Sequence, residues 1–96
     1  MSDVISEAVT ALNEKLSGEE LGGTVKFHIQ GEGSVVVDDS GARASDDDAD
    51  VTLTADTETF QDMMSGNLNP TAAFMSGKLT LDGDMGLAMK LGSVLG

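Results

Sequence analysis

Residues 50–91 read DVTLTADTETFQDMMSGNLNPTAAFMSGKLTLDGDMGLAMKL, and the way their periodicity changes decides the fold. Val51, Leu53 and Ala55 alternate with Thr52 and Thr54, which predicts a strand with one buried face. TFQDMMSG then turns helical, with Asp56 or Thr57 as its cap and Gly66 as its stop. Asn69-Pro70 restarts a helix at once, because Asn caps well and Pro at the first helical position lacks an N–H that would have no partner anyway. TAAFMSG completes that helix and Gly77 ends it. KLTLDG returns to period two, with Leu79 and Leu81 inward, and Asp84 can cap a last helix, DMGLAMKLGSVL, that carries Met85, Ala88, Met89 and Leu95 roughly on one side. MSGNL at 64–68 comes back as MSGKL at 75–79. The simplest account is two short helices ended by one device, a left-handed Gly followed by an apolar residue that folds back.

Working upstream, SDVISEAVTALNEKLSG predicts a helix. Val4, Ile5, Ala8, Val9, Leu12 and Leu16 recur at spacings of three and four, Asp3 and Glu7 suit the positive end of its dipole, and Gly18 is the expected stop. TVKFHIQ alternates Val25, Phe27 and Ile29 with Lys26, His28 and Gln30, so it reads as a strand. GEG at 31–33 turns the chain into SVVVD, with Val35 and Val37 on one face, and DDSG at 38–41 turns it into a short third strand, ARAS. Three strands joined by tight turns predict an antiparallel meander.

The totals narrow the function. A length of 96 residues favours one domain, 1–96, with one thin core that hides roughly 60–65% of the unfolded surface. Five basic residues face seventeen acidic ones, for a net charge of −12. No cluster of Lys and Arg is available for nucleic acid, and an anionic membrane would repel this surface. The charge predicts a soluble monomer. No cysteine means no disulfide and no thiolate metal site. The acidic start MSDVISEAVTAL does not have a signal-peptide layout, and no apolar run approaches a membrane span, so a cytoplasmic protein without stable membrane insertion is expected.

Several motifs invite chemistry that their context denies. Asp46, Asp48 and Asp50 have the spacing that opens a calcium loop, but the positions that need Gly and Glu hold Val51 and Thr57. A solvated acidic turn is the expected reading. His28, the only histidine, falls on the polar face of its strand without an orienting carboxylate or a nucleophile in the pattern. GEGS lacks the third Gly and the following helix of a dinucleotide site. DDSGA offers Asp-Ser, but in a hairpin turn rather than at the start of a helix, so an acyl carrier is rejected. With no nucleophile, base and orienting group together, no enzyme, cofactor or metal is expected.

What remains is apolar and soft. Met63, Met64, Phe74, Met75, Met85 and Met89 fall on three helical pieces flanking two strands, and they include five of the six methionines. Met is unbranched and polarizable, so it fills irregular cores and also lines surfaces that must fit more than one shape. Composition does not choose between those two.

The chain resembles the sterol carrier protein type 2 domain family. The resemblance rests on a D-x-T-L-x-x-D strand entering an F-x-x-M-x-x-G helix, on N-P-x-x-A-F-M-x-G-K-L, and on L-x-G-D-M-G-L-A-M-K-L. V-K-F-H-I and the G-E-G-S turn agree more loosely. It implies an α/β (α+β) fold: a five-stranded, mostly antiparallel sheet covered on one face by about four helices. Between helices and sheet it implies an apolar tunnel that binds fatty acids, fatty acyl chains or sterol-like lipids and possesses no catalytic group. Carried onto this chain, the lipid-binding wall is Phe60, Met63, Met64, Phe74, Met75, Leu81, Met85 and Met89. The chain ends SVLG rather than in a Ser-Lys-Leu type tripeptide, so peroxisomal targeting is not expected, and its short C-terminus predicts a more open or shorter tunnel.

Such binding needs little motif. At about 0.8 kcal/mol per buried methylene, a chain of roughly 12–16 carbons gains on the order of 10 kcal/mol before ordering costs. A carboxylate head would want one cation, and Arg43, Lys78 and Lys90 are the candidates. Coenzyme A, itself anionic, fits a surface of −12 poorly, so free fatty acid or a neutral lipid is the expected ligand. The alternative is an accessory or protein-interaction domain with the same fold and a filled core.

Overall fold

The computed structural model describes residues 4–16 and 22–95 of the chain. The expectations for Asp3, Gly18 and the Leu95 side chain fall outside the described residues. Helix α1, Val4–Lys15, buries Ala8 and Leu12, and Leu16 just beyond it is buried as well. Val4, Ile5 and Val9 pack against the same core, so the stripe read from the sequence is the face that docks.

Strands β1 (Val25–Ile29), β2 (Gly33–Asp38) and β3 (Gly41–Ala44) form the expected antiparallel meander. Strand β4 (Val51–Ala55) does not continue it. It pairs with β1 in parallel, Phe27 opposite Leu53, and β5 (Thr80–Gly83) adds to β4 antiparallel. The sheet order is β3-β2-β1-β4-β5. Helices α2 (Thr57–Ser65), α3 (Pro70–Met75) and α4 (Met85–Leu95) join α1 on one face. Their buried residues, among them Phe60, Met63, Ala73 and Leu91, share one core with Val25, Phe27, Ile29, Val35, Val37, Val51, Leu53 and Ala55.

The parallel pairing forces residues 45–50 to travel from one edge strand past β2 and β1. They cross on the outer face, where Lys26 Nζ donates to the Asp46 carbonyl and carboxylate oxygens, each at 3.3 Å. Val36 lies on that outer face, between Lys26 and Arg43 in register, yet it is fully buried. The passage of the link over this face accounts for it. Asp50 then clasps two segments through three bonds: its Oδ2 accepts from Thr24 N at 3.0 Å, its N–H donates to Thr24 O at 2.9 Å, and its carbonyl accepts from Asp84 N at 2.9 Å. Gly83 packs so closely that a Cβ would run into the Asp50 carbonyl, and its φ of 119° disfavours any L side chain there. Asp46 and Asp50 therefore tie down the link over residues 45–50. Asp46 turns to Lys26 and Asp50 to Thr24, and among the described residues no three His, Cys, Asp or Glu side chains are grouped to hold a metal.

The helices on the core face start and stop where the sequence marks them. Asp56 Oδ1 accepts from Thr59 N at 2.7 Å, Asn69 Oδ1 from Thr71 N at 2.7 Å, and Asp84 Oδ1 from Leu87 N at 3.0 Å. Gly66 and Gly77 are both left-handed, at φ 85° and 83°. After Gly66, Leu68 N donates back to Asp62 O, and after Gly77, Leu79 N donates back to Ala73 O, each at 3.1 Å. The MSGNL and MSGKL echo is thus one C-terminal device used twice. It also corrects the start of β5. Lys78 and Leu79 are held by the Ala73 carbonyl, so the strand begins at Thr80, and Leu79 is buried by the fold-back rather than by a strand pleat.

Candidate functional site

On the side of the molecule where β4, β5, α3 and α4 meet, the core is not filled. A cavity of about 240 Å³ opens there. Its floor is the buried set Phe27 from β1, Leu53 from β4, Met63 from α2, Leu79, and Ala88 and Leu91 from α4. Its rim is Phe74 and Met75 from α3 and Met85 and Met89 from α4, all four exposed, with Leu81 of β5 half-buried between rim and floor. Thr71 is the one polar side chain among the described lining residues. Ala88 presents only a methyl group where a longer side chain would fill the space. α3 has six residues and is started by the cap Asn69, while α4 begins two positions after the β5 strand ends, is started by the cap Asp84 and packs Leu87, Ala88 and Leu91 into the core.

Six of the eight wall residues expected from the sequence line this cavity: Met63, Phe74, Met75, Leu81, Met85 and Met89. Phe60 and Met64 do not. They line a separate groove of about 250 Å³ between α1 and α2, together with Val4, Ala8 and Ala11. The cause is helical period. Phe60 and Met64 are four residues apart and share the face of α2 turned to α1, whereas Met63 turns to the sheet. The Phe60 ring meets Phe27 edge-on, with centroids 5.5 Å apart and planes at 71°, so this pair stands between the two spaces. A second difference concerns depth. Met75 and Met89 are 79% and 74% exposed, so they edge the mouth rather than form an inner wall.

The sequence set omitted Phe27, Leu53, Leu79, Ala88, Leu91 and Thr71. The first three were legible as inward-facing, and only their nearness to the methionines was hidden. That nearness depends on β4 lying beside β1, which no local pattern encodes. Thr71 and Leu91 carried no signal of their own.

Among the described residues, no titratable side chain lines the cavity. Of the three cations considered for an acidic headgroup, Arg43 is misplaced. It lies on β3, at the opposite edge of the sheet from β5, and its Nη1 donates to Asp38 Oδ2 at 2.7 Å. Lys78 and Lys90 are exposed and adjoin the lining residues Leu79 and Met89 in the chain. The Asp56 carboxyl is held below its ordinary range, first by the Thr59 N–H, then by the Thr59 hydroxyl and, more weakly, by the charge of Lys78. His28 lies on the outer face with Nδ1 3.0 Å from Ser34 Oγ, remote from the cavity. No helix among the described residues is long and apolar enough to cross a membrane.

Known proteins share both the sequence pattern and this architecture. The SCP-2 sterol transfer family model matches residues 6–96. Hydroxysteroid dehydrogenase-like protein 2 of Bos taurus is 42% identical over 92 residues, which cover 95% of this chain and 21% of that protein. The chain thus spans about a fifth of the length of that relative. Among solved structures, the sterol carrier protein domain 2 of Helicoverpa armigera matches with a TM-score of 0.79 at 28% identity, covering 96% of this chain and 85% of that one. Sterol Carrier Protein-2 of Aedes aegypti, solved as a complex with the C16 fatty acid palmitate, has a TM-score of 0.79 at 24% identity, covering 99% and 96% respectively.

Proposed function

Because the chain belongs to the SCP-2 sterol transfer family, we propose that it binds the apolar chain of a lipid in the cavity between α3, α4 and the sheet, as a single domain over residues 1–96. The observation that carries this reading is a space of about 240 Å³ lined, among the described residues, by eleven apolar side chains and one threonine. Such a surface gains free energy by excluding water and asks nothing of the ligand but an apolar body. Exposed rim residues give the ligand a way in. Lys78 and Lys90 can attract a carboxylate head from outside, while the net charge of −12 opposes a headgroup as anionic as coenzyme A. Fatty acid is the ligand class we favour, in line with the palmitate held by the Aedes aegypti neighbour. Among the described residues the cavity lining offers no nucleophile paired with a base, so the chain itself is read as a carrier without catalysis, and lipid transfer between sites is part of the same reading.

A second reading is favoured by the length of the hydroxysteroid dehydrogenase-like relatives, of which this fold is about a fifth. There the domain would be an accessory that holds lipid for a larger assembly. The unfilled cavity weighs against the version of that reading in which the core is packed throughout.

Titration of delipidated protein with a fluorescent fatty acid tests the proposal. An external probe is required because the chain has no Trp or Tyr. Saturable binding at micromolar or lower, displaced by unlabelled palmitate and less well by palmitoyl coenzyme A, is the expected result. Absence of saturable binding by folded protein would refute the carrier reading.

A further inference from the structure

The rim of the cavity is built from the side chains that peroxide attacks first in this chain. There is no cysteine to react ahead of them. Among the lining methionines, exposure is graded: Met75 is 79% exposed, Met89 74% and Met85 46%, while Met63 in the floor is 1% exposed. Thioether oxidation follows exposure, so the mouth and the floor differ in reactivity. We propose that Met75, Met85 and Met89 form a modification site at which oxidation to the sulfoxide lowers the lipid affinity of the cavity, an inference that rests on the carrier reading above.

The chemistry balances with hydrogen peroxide as the oxidant. A sulfur lone pair attacks one peroxide oxygen, the S–O bond forms as the O–O bond breaks, and the other oxygen leaves as water after proton transfer. The thioether loses two electrons and the peroxide gains them. The product is a polar, chiral group where the wall had been apolar. An S=O oxygen in open water is hydrated. Covered by an alkyl chain at the rim it loses that water and finds little to replace it, because among the described residues the lining offers only the Thr71 hydroxyl. Ligand binding and oxidation therefore oppose each other, and the coupling acts both ways: bound lipid shields the sulfurs, and sulfoxides disfavour bound lipid. The three methionines sit on two helices, α3 and α4, and all three are exposed residues of the cavity lining, so a chain bound there lies against them.

The test oxidises delipidated protein with hydrogen peroxide, with and without palmitate, and maps sulfoxides by peptide mass spectrometry. The affinity for a fluorescent fatty acid is measured before and after. Expected are sulfoxides at Met75, Met85 and Met89 before Met63, slower oxidation of Met85 and Met89 when palmitate is present, and an affinity about tenfold weaker after oxidation. The Met75→Leu, Met85→Leu, Met89→Leu triple variant is judged by the same ratio, oxidised against untreated, whatever its own starting affinity. A ratio near one supports the assignment. An unchanged affinity in the oxidised parent overturns it, as does an equal loss in the triple variant or uniform oxidation of rim and floor. If untreated protein fails to bind at all, the carrier reading falls first and this inference with it; if untreated protein binds and oxidation changes nothing, only this inference falls.

Discussion

At Asp38 three donors converge. Its carboxylate accepts from the Ser40 hydroxyl at 2.6 Å, from the Ser40 N–H at 2.9 Å and from Arg43 Nη1 at 2.7 Å. The Ser40 hydroxyl first, and then Arg43, lower its pKa to about 2. The folded value lies below the unfolded one of about 4, so the stabilisation is fully present above pH ~4 and is lost as pH falls through about 2. Urea unfolding of Asp38→Asn, followed by circular dichroism, should show its largest deficit against the parent above pH ~4 and a shrinking deficit toward pH ~2. A deficit independent of pH would contradict this. Ala88 makes the complementary case within the cavity. Ala88→Leu places extra methyl groups in empty space, so fatty acid affinity should fall by about tenfold or more while the free protein keeps or gains stability, up to about 2 kcal/mol. Loss of stability together with unchanged binding would mean that the space is not the ligand's. Residue by residue, the sequence disclosed types better than depth. Met63 and Met89 looked alike in a periodic pattern, yet one lies in the floor and the other 74% exposed at the rim. Exposure is set by which face each helix turns to the sheet, Met63 on α2 inward and Met89 on α4 outward, and that orientation belongs to the assembled fold.

At the scale of elements, caps decide where the rim stands. α3 is six residues long and too short to persist by propensity. Asn69 holds its start with bonds to Thr71 N at 2.7 Å and Ala72 N at 3.4 Å, and Phe74 and Met75 ride on it. Asn69→Ala should cost about 1 kcal/mol, or about 4–8 °C in melting temperature for a chain of this size, and weaken fatty acid binding by more than the stability loss alone would predict. Unaltered binding in the folded variant would detach α3 from the site. Most elements could be read from the chain because each has its own punctuation: Asp56, Asn69 and Asp84 at starts, Gly66 and Gly77 at ends. The placing of β4 could not. Val51, Leu53 and Ala55 mark a strand with one buried face in any sheet, and they do not say that its neighbour is β1, in parallel, instead of β3. The buried Val36 was hidden for the same reason, since the link that covers the outer face exists only once that pairing is made.

For the whole molecule, fold and site have one origin. A chain of 96 residues with a net charge of −12 must keep its acidic groups outside and gather its apolar ones on one face of one sheet. Four helices cover that face among the described residues, and near β5 the helices α3 and α4 leave about 240 Å³ uncovered by side chains. The second space, about 250 Å³ between α1 and α2, is the natural competitor for a ligand, and the methionines distinguish the two. Met63, Met75, Met85 and Met89 line the first, and Met64 lines the second. The most direct test is therefore an NMR titration of protein carrying ¹³C-labelled methionine methyl groups with palmitate. The Met63, Met75, Met85 and Met89 methyl signals should move together and saturate while Met64 stays in place. Movement of Met64 with the other four unmoved, or no movement in folded protein, would contradict this.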